Sequence, residues 1–195
     1  MTNRILKHTL IPAVALGLLA ACGGGSNPVT PVTPTYASKL HYVNPTATGW
    51  RLEADATTND TAHLVLNLVG PTGTATKGAA FFLTCDTAKA SWASAGGTDT
   101  YAKAGGLLSL GSSPQLFKSK LTGSDLQVGI FQKGGTAATL TTSPVVSVAL
   151  NLASTSLAQG TAISLAPTSA KQAVQVDSTG TSQNITVTVG TLTAQ

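Results

Sequence analysis

A chain of 195 residues with 42% hydrophobic residues has room for one domain with a sizeable core. Only 9% of its residues are charged and the formal charge is +4, too little for a polyelectrolyte tail. The lysines are scattered and form no basic stripe, which argues against nucleic acid as a partner.

Arg4 and Lys7 precede an apolar stretch from Leu10 to Leu19, the charged-then-apolar layout of a secretory signal. The stretch falls short of the roughly 20 residues a membrane-spanning helix needs, and Pro12 interrupts it. Leu19-Ala20-Ala21-Cys22 then resembles the lipobox of bacterial lipoproteins. That resemblance implies thioether lipid on the Cys22 sulfur, loss of residues 1–21 and acylation, for example with palmitate, of the new N-terminus. The membrane would be held through this anchor, and Gly23 in place of an Asp after the cysteine points to the outer membrane. Loss of residues 1–21 lowers the formal charge to +2.

Residues 22–35, with Pro28, Pro31 and Pro34, read as a solvated Pro/Gly-rich tether. Polyproline geometry at about 3.1 Å per residue gives it a reach of roughly 40 Å. A lipidated Cys22 leaves Cys85 without a disulfide partner in an oxidising compartment. The expectation is a buried, inert thiol, with a reactive or intermolecular cysteine as the alternative.

Residues 36–195 show short runs of period two separated by Gly, Pro, Asn and Asp, the pattern of strands and turns. Ser38 to Val43 and Trp50 to Asp55 are expected to pair around Asn44-Pro45. Thr61 to Val69 places Leu64, Leu66 and Leu68 on one side. Ala79 to Cys85 is apolar on both sides, which predicts a strand covered on both faces. Lys89 to Trp92 fits a strand or a helical turn, and Leu107 to Leu110 is a short apolar element. Leu116 to Leu121 and Leu126 to Phe131 read as a hairpin-like pair, with Leu126, Val128 and Ile130 inward. Val145 to Leu152, Thr161 to Leu165, Ala173 to Val176 and Asn184 to Leu192 complete about ten strands. No segment has helical period beyond two turns. The pattern predicts an all-β chain folded as an antiparallel β-sandwich. An outer-membrane barrel is disfavoured by 5% aromatics and short strands.

Gly78 to Asp86, Leu126 to Phe131, Val146 to Leu150 and Gly160 to Ile163 resemble the strand order of cohesin-like domains, which are similar in plan to carbohydrate-binding and immunoglobulin-like sandwiches. Cys85 stands where such domains commonly carry an aromatic residue. The chain also resembles bacterial lipoproteins with a Tyr-x-x-Pro, Gly-Trp-Arg-Leu opening, present as Tyr42, Pro45 and Gly49 to Leu52. The resemblance implies a binding module on a sandwich.

No Gly-x-Ser-x-Gly or His-Glu-x-x-His pattern is present, and only His41 and His63 follow the signal, so a catalytic role is not expected. Glu53, Asp55, Asn59 and Asp60 form one local cluster of oxygen donors, a candidate calcium loop or simply turn-forming residues. Trp92 and Tyr101 flank the longest Gly-rich loop and are candidates for stacking on a polysaccharide, the alternative being core or edge packing. Two functions follow as expectations. One is a tethered adhesion or binding module for a carbohydrate or protein; the other is an accessory subunit of an envelope complex.

Overall fold

The structure, a computed structural model, describes residues 35–112 and 115–195. The signal segment, Cys22 and the tether up to Pro34 lie outside the described residues. Every regular element among the described residues is a strand. In chain order they are β1 (Leu40–Val43), β2 (Arg51–Ala54), β3 (His63–Val69), β4 (Ala75–Cys85) and β5 (Ala90–Ala93). Next come β6 (Ala102–Ala104), β7 (Phe117–Thr122), β8 (Asp125–Phe131), β9 (Ala138–Thr139) and β10 (Val146–Leu152). The last five are β11 (Thr161–Ile163), β12 (Leu165–Pro167), β13 (Ala173–Asp177), β14 (Ser182–Ile185) and β15 (Thr191–Ala194).

Two antiparallel sheets make the sandwich. The larger runs β14-β13-β4-β8-β7, with β12 and β9 also on β4; the second runs β2-β3-β10-β5, with β6 also on β10. Period two decides what each sheet buries. Leu64, Leu66 and Leu68 of β3 register with Leu150, Val148 and Val146 of β10, and all six are buried. From the larger sheet, Phe81 and Leu83 of β4 register with Val128 and Leu126 of β8, again all buried. Each such side chain contributes about 1.5–3 kcal/mol as an upper estimate. The ion pairs, all between solvent-accessible side chains, contribute about 0–1 kcal/mol each. Apolar burial therefore holds the sandwich together.

The hairpin at 117–131 forms as the alternation predicts. Thr122 registers with Asp125, leaving Gly123-Ser124 as a two-residue turn with Gly123 at φ 62°. A positive φ at the first turn position alone matches a type II′ turn, whose twist suits paired strands.

Two expectations are corrected. First, β1 and β2 do not pair with each other. β1 pairs with β15 in a small third sheet, β1-β15-β11, while β2 pairs with β3. The other side of β1 is closed by backbone at Leu40, which bridges Thr61, and by a side chain at Tyr42, where the Asn59 amide accepts from the Tyr42 N–H at 2.9 Å and donates to the Tyr42 carbonyl at 3.0 Å. Asn59 thus extends the Leu40–Thr61 bridge, and together they remove an open edge. Second, the run Asn184 to Leu192 is not one strand. β14 ends at Ile185, Thr188 bridges Arg51 of the second sheet, and β15 joins the small sheet. Gly190 permits this crossing, because a Cβ there would sit 1.9 Å from the Val43 carbonyl oxygen.

Candidate binding face

On β4 the odd positions Ala79, Phe81, Leu83 and Cys85 are buried, whereas Ala80, Phe82 and Thr84 are half-buried. The expectation that both faces of this strand are covered is therefore corrected: its even side lies on the outer face of the larger sheet. Register builds two rows across that face. One runs Val174, Ala80, Gly129, Lys118, and the other Phe82, Gln127, Lys120. Small residues at the centre of the first row leave a depression of about 260 Å³ lined by Ala80, Phe82, Lys118, Lys120, Gln127 and Gly129 among others.

Phe82 also borders a second hollow of about 350 Å³ beside Pro167 to Ser169, Lys171 and Ile185 to Val187. A partly exposed aromatic ring thus stands between two concavities. Lys171 Nζ sits 5.3 Å from its centroid, a cation–π contact of about 0.5–1 kcal/mol at a solvated site. Lys118 and Lys120 are exposed, and among the described residues no carboxylate lies within ion-pair distance of these three lysines. Asp125, paired with Thr84 and Thr122, supplies the acid one row further on.

The free side of β7 is tied down by Asp99. Its carboxylate accepts from the Ser119 N–H at 3.0 Å, from the Ser119 hydroxyl, and from the N–H groups of Tyr101 and Ala102. Partial burial raises the Asp99 pKa, but these hydrogen bonds outweigh it and hold the carboxyl below its ordinary range. The contact joins the loop before β6, in the second sheet, to β7 in the larger one.

On the outer face of the second sheet several polar groups satisfy one another, although Lys103 of β6, in register with Ser147, is exposed and among the described residues has no carboxylate within ion-pair distance. Arg51 pairs with Glu53 at 2.6 Å, the Ser147 hydroxyl donates to Asn67 Oδ1 at 2.6 Å, and His63 Nδ1 meets Asn151 Oδ1 at 2.6 Å. A larger depression, about 410 Å³, lies between Val43 to Ala47 and Thr188 to Thr191, but its lining carries no titratable side chain. Unpaired charge, a small-residue floor and an aromatic ring coincide on the larger sheet.

The residues singled out from the sequence fall elsewhere. Trp92 is a core residue, 7% exposed, and its Nε1–H donates to the Ser124 carbonyl at 2.8 Å. It presents no ring for sugar stacking; of the two readings given for it, core packing is the one seen. Tyr101 is half-buried and packs against the same core.

The four oxygen donors are engaged separately. Glu53 pairs with Arg51; Asp55 accepts from the Thr57 hydroxyl and N–H; Asn59 holds Tyr42; Asp60 meets His41 at 2.7 Å and Lys39 at 3.7 Å. The Thr57 hydroxyl is the main reason the Asp55 carboxyl lies below its ordinary range. Among the described residues no three His, Cys, Asp or Glu side chains gather closely enough to hold a metal ion, and the four oxygen donors are held in turn contacts, the other of the two readings their spacing allowed. Cys85 is free and 4% exposed; burial, then the Asp86 charge, pushes its thiol up to about 11.

No protein-family model matches the chain, and no curated protein sequence matches it significantly. Among solved structures, the sixth cohesin of scaffoldin B from Acetivibrio cellulolyticus, in complex with a dockerin, superposes with a TM-score of 0.51 at 18% identity. The match covers 79% of this chain and 97% of that one. The fold is a cohesin-like β-sandwich. A type I cohesin–dockerin complex from Clostridium thermocellum gives 0.49 at 10% identity, covering 79% and 97%. A type II cohesin from the Acetivibrio cellulolyticus cellulosome gives 0.43 at 14%, covering 80% and 94%. Identities this low concern the fold alone. Within the cohesin-like sandwich, Phe82, Lys118, Lys120, Gly129 and Lys171 were not singled out by sequence reasoning. The one available signal was Phe82, out of phase with the buried Phe81 inside an unbroken apolar run.

Proposed function

We propose that this chain is an exported, non-catalytic binding module, held at the outer membrane through lipid on Cys22, which grips a partner protein on the outer face of its larger sheet. The observation that carries this reading is the open face itself: a half-buried Phe82 beside a trough floored by Ala80 and Gly129, with unpaired lysines around it. An apolar anchor ringed by polar groups is the usual anatomy of a protein-binding patch. The cohesin of similar fold was solved with a dockerin, a protein partner, which supports a protein ligand over a small molecule. A polysaccharide ligand is less well supported, because the indole proposed to stack on it lies in the core. An accessory envelope subunit would use the same face in a longer-lived complex.

The anchor gives the face its setting. A tether reaching roughly 40 Å lets the domain search for a partner while tied to the membrane. A photo-crosslinking residue at Gln127, in the centre of the face, tests the reading in membrane-anchored protein. It should give a defined protein adduct, whereas the same group at Ser91 on the second sheet should not. Adducts from Ser91 and none from Gln127 would overturn it.

A further inference from the structure

We infer that the partner segment is acidic, with one apolar side chain seated in the trough beside Phe82. This rests on the binding-face reading and adds the chemistry of what is bound.

Lys118, Lys120 and Lys171 surround Phe82, and among the described residues no carboxylate lies within ion-pair distance of them. Lys118 and Lys120 are exposed at alternate positions of β7, so their side chains leave the same face about 7 Å apart. That spacing suits two carboxylates at alternate positions of an extended segment, or one turn apart on a helix. Lys171 approaches from the opposite side of Phe82, which places cations on both flanks of the ring.

Lysines on an edge strand commonly guard against edge pairing. That role does not account for Lys171, which lies in the loop between β12 and β13. It also leaves the opposite edge unexplained, because β14 (Ser-Gln-Asn-Ile) carries no lysine. The free side of β7 is moreover already engaged at Ser119 by Asp99. An anionic glycan or an anionic lipid surface would use the cations but not the trough. Its floor of Ala80 and Gly129 and its Phe82 wall are apolar, which favours a peptide with a side chain to bury.

The test uses the full chain carrying Cys22→Ser, immobilised and panned against a display library of random peptides. Enriched peptides should carry excess Asp and Glu around an apolar residue. Their affinity should fall at least tenfold with Lys118→Glu plus Lys120→Glu and in high salt, survive Lys→Arg at both sites, and fall with Gly129→Val, which fills the trough. The charge-reversed variant should enrich basic peptides instead. Neutral or basic peptides that bind the unmodified face and are blocked by Gly129→Val would overturn the acidic-partner inference while leaving the binding face in place. Peptides indifferent to Gly129→Val, or none enriched, would remove the face as well. Lysine-dependent binding to phosphatidylglycerol vesicles or polygalacturonate, without peptide binding, would replace the protein segment with a membrane or a glycan.

Discussion

The indole of Trp92 donates to the carbonyl of Ser124 at 2.8 Å, linking β5 of one sheet to the hairpin turn of the other. Truncating it removes a core ring and orphans a carbonyl. Trp92→Ala should therefore lower unfolding free energy by about 3–5 kcal/mol in a denaturant titration. A surface sugar platform would instead lose ligand with stability unchanged.

Asp99 makes stability depend on acid. Its folded pKa lies below the ordinary value of 3.8, so its stabilisation is complete above that value and drains away as pH falls through the folded pKa. Thermal midpoints measured from pH 6 down to pH 2 should fall, and Asp99→Asn should flatten the part that Asp99 supplies. At pH 7 the same substitution should cost about 1–2 kcal/mol, kept modest by the carboxylate's partial exposure. An unchanged acid slope in Asp99→Asn would show that the contact carries none of it.

Cys22 and Cys85 should behave oppositely. Cys22→Ser should move the chain from the membrane fraction to the soluble fraction, since lipid is the attachment proposed for it. Cys85, buried and with its thiol at about 11, should resist a thiol reagent at pH 8 until the protein is unfolded. Retention of Cys22→Ser in membranes would point to another attachment.

How much of this was legible beforehand depended on whether a strand's two sides differ. β3 and β8 could be read from Leu64, Leu66, Leu68 and from Leu126, Val128, Ile130, because each strand alternates in polarity and one phase fills the core. β4 could be located but not oriented: with Ala80 and Phe82 as apolar as Ala79 and Phe81, alternation is silent about which side stays open. The open face of the larger sheet was hidden for that reason. The sheet switch at Thr188 was hidden for another, since it depends on Gly190 meeting Val43 nearly 150 residues away, beyond any local pattern. For Trp92 and Tyr101 stacking and core packing stayed open as readings, because ring type and loop composition do not reveal which way a side chain points.

Gly129 offers the sharpest test of the binding face. A Cβ at this position would meet only Phe131 Cε2, at 3.4 Å, and no backbone stands within 4 Å of it. Gly129→Val should leave stability unchanged or raise it by about 0.5–1 kcal/mol, since glycine weakens a strand interior. The added methyls would fill the trough floor. With the crosslinker at Gln127, adduct yield should fall at least tenfold in Gly129→Val while the unfolding midpoint holds. A folded Gly129→Val protein that still yields the full adduct would contradict partner binding on this face.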